Sequence, residues 1–413
     1  MDSILQMIAR QEAWDGFLAY RLRKGRFTWR SFEQADAFVE NEQYLPLAQR
    51  LAAGGGLGLP ERLVINKMGT GKKRLVYRFP PEEMTVLKLI ANLLYRYDGR
   101  FAPGCYAFRR GKRASDAIFQ LRAALHGRQM WAYKVDIHDY FNSISIPLLL
   151  PMLKDWLADD EPLYGFFERL LDDDRALSGE AVVRGPRGVM AGTPTAPFLA
   201  DVYLSEVDHY FHDAGVVYAR YSDDIILFAP DRETLERHMA TLLGFFEKYR
   251  LTVNPDKEHI YAPDEPFEFL GFRCFGRQID ISLSTRQKMK AKIRRKARSM
   301  RRWCSKEGKD PTLGMKGLIR HFNRKFFDSP DPDLLSWSRW YFPVINRTEG
   351  LREIDRYLQE QLRYVASGRH RQANYRVRYA DLKALGYRSL VHEYHLSRSR
   401  EKSLSLQEST STI

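Results

Sequence analysis

Apolar and polar positions repeat with two different periods along this chain, and the changes of period predict where helices and strands lie. Over residues 1–50 apolar side chains recur at helical spacing, until a glycine-rich segment at 53–60 interrupts them. Short runs of β-branched and aromatic residues follow at 63–66 and 74–79, typical of two strands joined by a turn. A pair of prolines then opens a predicted amphipathic helix.

The most informative pattern is a predicted hairpin at 217–228. Two short apolar runs flank Tyr221-Ser222-Asp223-Asp224, so the hairpin would hold two adjacent carboxylates at its tip. Like charges about 4 Å apart repel by roughly 4 kcal/mol at an effective dielectric constant near 20, which predicts a neutralising cation. A solvated turn is the alternative for this pair alone. A third acid in a matching setting, Asp136 at the end of the apolar run 130–137, favours a site.

A strongly basic helix is predicted downstream. Between Arg286 and Lys306 there are eleven Lys or Arg residues and no acid, while apolar residues recur along one side. Uncompensated cations repel one another unless a polyanion is near, so nucleic-acid contact is favoured over a solvated face. The serine-rich segment after 395 predicts disorder.

Composition supports this interpretation. The 413 residues are 44% hydrophobic and 13% aromatic, enough for two or three packed units, and carry a formal net charge of +14. Such a charge indicates a polyanionic partner, for which nucleic acid is favoured over membrane because no run of about 18 apolar residues occurs. The first residues lack a signal-peptide pattern. Three scattered cysteines fit a reducing compartment and argue against structural zinc, so we expect a cytoplasmic protein.

The three aspartates form a recognisable ligand set. Asp136, Asp223 and Asp224, with the backbone carbonyl of Ile137, match what two Mg²⁺ ions need for in-line phosphoryl transfer, and Mn²⁺ is the alternative metal. One ion would activate a 3′-hydroxyl and both would hold the departing pyrophosphate.

The order of these motifs over about residues 60–275 resembles that of reverse transcriptases, within the bacterial lineage of group II intron, retron and defence-associated (unknown-group) enzymes. The resemblance implies an α+β right-hand polymerase fold, with fingers, a palm of antiparallel sheet and helices, and a helical thumb. It divides the chain into a helical extension at 1–59, fingers and palm at 60–275, a basic thumb at 276–345, a helical unit at 346–395 and a disordered tail at 396–413.

Several residues resemble those that handle the incoming nucleotide. Phe141 stands where the family has an aromatic gate against the ribose 2′-hydroxyl, and Lys257 resembles the lysine that protonates the leaving pyrophosphate. In Ala191-Gly-Thr-Pro-Thr-Ala-Pro197 alanine replaces the family's usual glutamine, which predicts unusual nucleotide selection. The resemblance assigns nucleotide contacts to Lys67, Arg74, Asp139, Tyr140, Phe141, Ala191 and Gly192.

Other residues resemble the family's template and primer contacts. Tyr106-Ala-Phe-Arg-Arg-Gly is similar to a G-F-R-x-G element near the template, and Phe269-Leu-Gly271 is similar to the primer grip. The predicted contacts are Tyr106, Phe108, Arg109, Arg110, Tyr221, Phe269, Leu270, Gly271, Lys292, Arg295 and Arg302.

The subtype and two alternatives stay open at this stage. Without a recognisable added nuclease module or a retron-type Val-Thr-Gly motif, the chain looks most similar to the defence-associated enzymes. That resemblance implies a structured noncoding RNA template, dNTPs, a DNA product and a role against phage. One alternative is a template-independent or protein-primed nucleotidyltransferase. The other is a non-catalytic RNA-binding scaffold derived from a polymerase.

Overall fold

A computed structural model describes residues 2–23, 29–66, 73–185, 187–328, 336–369 and 376–410. The chain divides into two compact units, Met1–Glu265 and Pro266–Ile413. Helices and mostly antiparallel sheets make up both units, which confirms the α+β class. None of the described helices is long and apolar enough to cross a membrane.

Twelve α-helices occur among the described residues of the first unit, with 3-10 turns at Leu94–Arg100 and Pro255–Lys257. The α-helices are α1 (Ile4–Met7), α2 (Gln11–Arg23), α3 (Trp29–Glu40), α4 (Leu45–Ala52), α5 (Pro81–Leu93), α6 (Ala114–Leu125), α7 (Tyr140–Ser143), α8 (Ile146–Trp156), α9 (Glu161–Asp172), α10 (Ala196–Tyr203), α11 (Ser205–Asp213) and α12 (Arg232–Lys248).

The predicted N-terminal helices are present, and they share the core of the first unit. Trp14 is fully buried, with its ring 4.9 Å from that of Tyr44. The buried Asp160 carboxylate accepts hydrogen bonds from the Ser3 hydroxyl at 2.5 Å and from the Ile4 amide at 2.8 Å. Because these bonds join α1 to the start of α9, residues 1–59 belong to the same compact unit as the sheets.

Two four-stranded sheets complete the first unit. One has the order β2-β1-β4-β5, from β1 (Glu61–Asn66), β2 (Lys73–Arg78), β4 (Arg175–Ser178) and β5 (Ala181–Arg184). The other, which we call the acid-bearing sheet, has the antiparallel order β6-β7-β3-β8, from β3 (Trp131–Asp136), β6 (Val217–Tyr221), β7 (Asp224–Ala229) and β8 (His259–Tyr261). Strand β7 is apolar and buried from Ile225 onward, because it lies inside the sheet and is covered on both faces.

The second unit is mainly helical. Its antiparallel sheet has β9 (Phe267–Phe269), β10 (Phe272–Phe275) and β11 (Gln278–Ile281), and its helices are α13 (Leu283–Lys306), α14 (Pro311–Phe326), α15 (Trp337–Tyr341), α16 (Glu349–Ser367), α17 (Tyr379–Ala384) and α18 (Leu390–Thr410). Helix α13 packs against α14 and α16. Its predicted apolar stripe is buried at Met289, Ile293, Ala297 and Cys304.

The C-terminal segment differs from the prediction of disorder after 395, since α18 continues to Thr410. The start of this helix is fixed by Asp355 of α16, whose carboxylate accepts from the Leu390 amide at 2.9 Å and from the Val391 amide at 3.1 Å. Leu, Glu, Lys and Gln then favour helix over coil. Serine content alone was therefore a poor guide in this segment.

Candidate active site

Strand register brings the predicted acids to one end of the acid-bearing sheet. Asp136 of β3 lies directly opposite Asp224 of β7, and such cross-strand neighbours have Cα atoms about 4.5–5.5 Å apart. The amide of Ile137 donates to the carbonyl of Asp223 at 3.1 Å, which ties the third acid to the same strand end. Ser222 has a φ of 62°, the left-handed conformation that closes this two-residue loop. The register thus places all three acids together.

The charge of Asp136 affects the pKa of the other two acids. Burial, followed by the charge of Asp136, raises the pKa of Asp223 to about 6. Burial also raises the pKa of Asp224, and Asp136 adds to that rise, while the nearby ammonium of Lys134 opposes it. Charge effects of this size act over short distances, so they agree with the strand register that places Asp136 beside the other two acids.

Two lysines partly neutralise the acids. Lys257, a predicted catalytic residue, forms an ion pair with Asp136, to which the Asn254 amide also donates at 3.3 Å. Lys134 lies 3.6 Å from Oδ1 of Asp224, within ion-pair range but beyond a hydrogen bond. That buried oxygen accepts no hydrogen bond in the structure. The sequence-based analysis missed Lys134, although its place two residues before Asp136 puts both side chains on one face of β3.

The acids fit a divalent cation in their chemistry. Carboxylate oxygens, one of them buried without a hydrogen-bond donor, are the ligands that Mg²⁺ and Mn²⁺ prefer. Within the described ranges, however, no group of three His, Cys, Asp or Glu side chains is placed so that it could hold a metal ion as it stands. Since Asp136 is held by Lys257, its carboxylate would have to turn from that ammonium to join the other two.

Beneath the hairpin lies a buried ion network that the sequence-based analysis did not find. Arg220 of β6 is fully buried and donates to Asp208 at 2.6 Å and to Asp201 at 3.0 Å. It also donates to the Ser222 carbonyl at 3.3 Å, inside the acid-bearing turn, and to the Cys105 sulfur at 3.2 Å. Burial raises the pKa of Asp201 to about 7. A lone arginine in an otherwise apolar strand was the available signal.

The same network holds the loop that was predicted to contact the template. Backbone hydrogen bonds join Arg220 to Gly104 at 2.9 Å and to Tyr106 at 3.0 Å. Arg109 is buried, and its guanidinium donates to the side chain and the carbonyl of Asp98, each at 2.5 Å. The Tyr106 hydroxyl is likewise directed inward. Arg109 and Tyr106 support the loop from within, and their contact with a template stays a prediction.

Two other residues of this loop are exposed. Phe108 has a φ of 57°, and its ring meets that of Phe141 edge to face at 6.1 Å. The guanidinium of Arg110 lies 4.9 Å from the centre of the Tyr20 ring. Phe108 and Arg110 are therefore the predicted contacts of this loop whose side chains are exposed to a nucleic acid.

The predicted nucleotide-binding residues differ in how accessible they are. Phe141 is half-buried, whereas Tyr140 is buried and donates its hydroxyl to the Ala200 carbonyl at 2.5 Å. Asp139, in a left-handed conformation, accepts from Asn142 at 3.0 Å. Tyr140 thus anchors α7, which carries Phe141.

The glycine-containing loop that follows is fixed against β2. Ala191 is buried, and its carbonyl accepts from the Tyr77 amide at 2.8 Å. Gly192 has a φ of 103°, and a Cβ there would lie 3.1 Å from the Tyr77 carbonyl, so glycine allows this close approach. Arg74 is exposed on β2, while Lys67 lies outside the described residues.

One remaining predicted contact, Tyr221, lies in the first unit, and the others lie in the second unit. Burial raises the pKa of Tyr221. In the second unit Phe269 is buried, Leu270 has a φ of 51°, and a Cβ on Gly271 would lie 2.6 Å from the Tyr341 hydroxyl. These residues form the turn from β9 to β10. Their contact with a primer stays a prediction, as it does for Lys292, Arg295 and Arg302 of α13.

Comparison with known proteins gives the family. Two curated relatives are the retron Mx65 reverse transcriptase of Myxococcus xanthus, 24% identical over 43% of this chain and 43% of the relative, and the retron Ec83 reverse transcriptase of Escherichia coli, 24% identical over 33% of this chain and 45% of the relative. The chain therefore spans less than half the length of either relative.

Solved structures with some likeness are telomerases. One is apo telomerase from Candida tropicalis, truncated from its C-terminal domain, at 13% identity, a TM-score of 0.43, and coverage of 54% of this chain and 55% of that one. Another is telomerase from Candida albicans with a TWJ fragment of telomeric RNA, at 13% identity, a TM-score of 0.43, and coverage of 84% and 68%. Such scores are too low to support an assignment.

The decisive match is to the sequence profile described as reverse transcriptase (RNA-dependent DNA polymerase). It covers residues 65–274, just over half of the chain, and includes all three aspartates and Lys257. Members of this family use divalent metal ions. The chain belongs to the reverse transcriptase family.

Proposed function

We propose that this protein is an RNA-directed DNA polymerase that adds deoxynucleotides to a 3′-hydroxyl by two-metal nucleotidyl transfer with Mg²⁺ or Mn²⁺. The observation that carries the proposal is the convergence of Asp136, Asp223 and Asp224 at one sheet end, with a buried oxygen of Asp224 left without a hydrogen bond. Burial and the neighbouring charge of Asp136 raise the pKa of Asp223 and Asp224, which is costly to a fold, and a polyanion-binding enzyme with bound cations has a use for such acids.

The bound ions would supply Lewis acidity to the attacking hydroxyl and to the leaving pyrophosphate. The protein's own part is to hold the ligands. Cross-strand hydrogen bonding fixes Asp136 opposite Asp224, and the Ile137 amide fixes the backbone of Asp223. The ammonium of Lys257, which is 42% exposed, keeps a proton beside these acids, where it can be passed to a leaving phosphate oxygen.

Nucleotide selection would fall to the residues around Phe141. Its ring is braced by Phe108, and its helix is anchored through Tyr140. Ala191, where the family has glutamine, presents a short apolar side chain that is buried in this structure. We therefore expect the ring of Phe141 to exclude a ribose 2′-hydroxyl without help from residue 191.

The biological setting is part of the proposal. We infer that the template is a dedicated structured noncoding RNA, that the enzyme works in the bacterial cytoplasm, and that its cDNA serves in antiphage defence. The net charge of +14 supports an RNA partner, and the two retron relatives support a bacterial enzyme.

A primer-extension assay tests the activity. The purified chain, a primer annealed to RNA, dNTPs and Mg²⁺ should give full-length cDNA. Asp224→Asn should lower the rate at least about 10³-fold, because it removes a ligand that acts in the transition state. Asp231→Asn, an exposed acid that caps α12, is the matched control and should keep its rate.

Two results would contradict this assignment. Homopolymer of unlimited length made without template would favour the template-independent alternative. Full biological function in Asp224→Asn would favour the scaffold alternative. The template itself is tested by sequencing the RNA and cDNA that copurify with the protein, where random RNA fragments would argue against a dedicated template.

A further inference from the structure

Helices α13 and α16 border an open hollow of about 470 Å³ in the second unit. This volume is within the range of sites that take ligands of nucleotide size. No acid contributes to its lining, which is made by Ala291, Arg294, Arg295, Arg298, Arg302 and Tyr364.

The arginines of the hollow have less charge compensation than the cations next to them on α13. Arg286 and Lys290 both pair with Glu353 of α16. In contrast, no carboxylate of the described residues lies within ion-pair range of Arg295, Arg298 or Arg302. Glu353 therefore compensates cations near the start of α13 only. The arginines of the hollow, further along the helix, are available to an anion from outside the protein.

One acid of α16, Glu360, lies on the same side of that helix as Tyr364. Glu360 lies three residues after Tyr357 and four before Tyr364, so it shares their side of α16. Tyr357 accepts a hydrogen bond from Arg294 at 2.9 Å, yet Glu360 forms no ion pair with any described cation. With four arginines and no acid in its lining, the hollow carries a net positive charge beside an aromatic ring.

The basic surface of α13 has two distinct sides. Lys292, predicted together with Arg295 and Arg302 as a template or primer contact, does not line the hollow. Burial lowers the pKa of Lys292, and the charge of Lys325 on α14 adds to that effect. Lys292 thus faces α14, whereas the arginines of the hollow lie beside Tyr364 of α16.

We infer that the hollow binds a single-stranded segment of nucleic acid, with phosphates on its arginines and one unstacked base on Tyr364. Arginine forks suit phosphate oxygens, and aromatic rings are stacking platforms for any base. The bases of a duplex are already stacked and cannot reach such a ring. This inference rests on the proposed function only in that the natural strand is the RNA that the enzyme copies.

The length of the hollow fits several phosphates. Arg294 and Arg302 are eight residues apart, which is about 12 Å along a helix. Phosphates of one strand repeat about every 3.4 Å along the axis of B-form DNA, so two to four of them can meet the arginines. The site lies in the second unit, whereas the three aspartates lie in the first.

Fluorescence anisotropy with the full chain, a labelled 12-nucleotide RNA and no dNTPs tests the inference. Arg298→Gln/Arg302→Gln should weaken binding about 10-fold to 50-fold and lower the slope of log affinity against log salt by about 1.4. Tyr364→Leu should weaken binding at least about fivefold and leave that slope unchanged, because stacking releases no counterions. A DNA strand of the same sequence should behave in the same way.

The matched control is Arg352→Gln/Arg356→Gln, which removes the same charge at the same spacing from exposed positions of α16. It should change the affinity less than about threefold. Equal weakening by both pairs, or equal affinity for a 12-base-pair duplex, would overturn the inference. Asp224→Asn should bind the strand with the affinity of the unaltered chain, because the assay measures binding without catalysis. A failure of the polymerase assignment would therefore not change the outcome of this binding test.

Discussion

Two groups of carboxylates in the first unit differ in how closely positive charge compensates them. Asp201 and Asp208 surround Arg220, whose guanidinium donates to both of them and to the backbone of the turn. At the tip of the same hairpin, Lys134 lies 3.6 Å from Asp224, and the charge of Lys257 lowers the pKa of both Asp223 and Asp224 without offsetting the rise caused by burial. Asp201 and Asp208 share a buried guanidinium that donates hydrogen bonds to both of them. Asp223 and Asp224 have no such partner among the described residues.

The difference separates what holds the hairpin from what the hairpin does. A buried arginine that pairs two aspartates fixes the backbone, although burial still raises the pKa of Asp201. Uncompensated acids destabilise a fold, and they persist where a bound cation completes them. The contrast predicts opposite effects on stability when charge is removed from each group.

The largest effect on stability is expected at Arg220. Arg220→Met leaves two buried carboxylates without their partner and should lower the free energy of unfolding by about 3–5 kcal/mol. The triple variant Arg220→Met/Asp201→Asn/Asp208→Asn removes the stranded charge and should recover at least half of that loss. Urea unfolding measures both, and equal losses in the two variants would mean that packing, rather than charge, dominates the network.

Removal of the Asp223 charge should instead stabilise the metal-free protein. The pKa of Asp223 is raised to about 6 in the folded protein from an ordinary value of 3.8. Above pH 6 the ionised carboxylate therefore destabilises the folded protein relative to the unfolded chain. Asp223→Asn should raise the free energy of unfolding by about 1–3 kcal/mol at pH 7. The gain should shrink as the pH falls from about 6 and vanish below about 4, where Asp223 is protonated in both states.

The control for this pH profile is an acid with the opposite shift. Backbone and side-chain hydrogen bonds from Thr234 lower the pKa of Asp231, so Asp231→Asn should not stabilise the protein at pH 7. A gain from Asp223→Asn that does not change between pH 4 and 7 would show that the residue's charge is not its cause.

The smallest effect is expected from added Mg²⁺. An ion that binds only the folded protein adds about 1 kcal/mol when its concentration is about fivefold above its dissociation constant. Thermal unfolding in EDTA and in Mg²⁺ measures this gain without any catalysis. Asp136→Asn/Asp224→Asn should abolish it, whereas an equal Mg²⁺ effect in that variant would place the ion elsewhere.

Local patterns in the sequence were sufficient for several elements. The hairpin at 217–228 follows from two apolar runs around a four-residue polar motif, and the buried stripe of α13 follows from helical spacing. Both depend on neighbours a few residues apart, which a sequence displays directly.

Side-chain direction was harder to predict. Arg109 and Tyr106 lie in a basic, aromatic loop that resembles a template contact, yet both are turned inward by Asp98 and Gln120. The orientation of a long polar side chain depends on partners that the sequence does not place beside it. The same holds for Lys292, which tertiary packing separates from the arginines of the hollow.

The sequence by itself determined the acid-bearing hairpin, the buried stripe of α13, the positive charge and the identity of the three acids. Only the tertiary structure decided that Asp136 lies opposite Asp224, that Arg220 holds the turn between β6 and β7, and which cations of α13 stay uncompensated. The physical reason is the distance along the chain over which each interaction acts. Hydrophobic period and propensity act between near neighbours, whereas register, burial and charge pairing join residues that lie far apart in the chain.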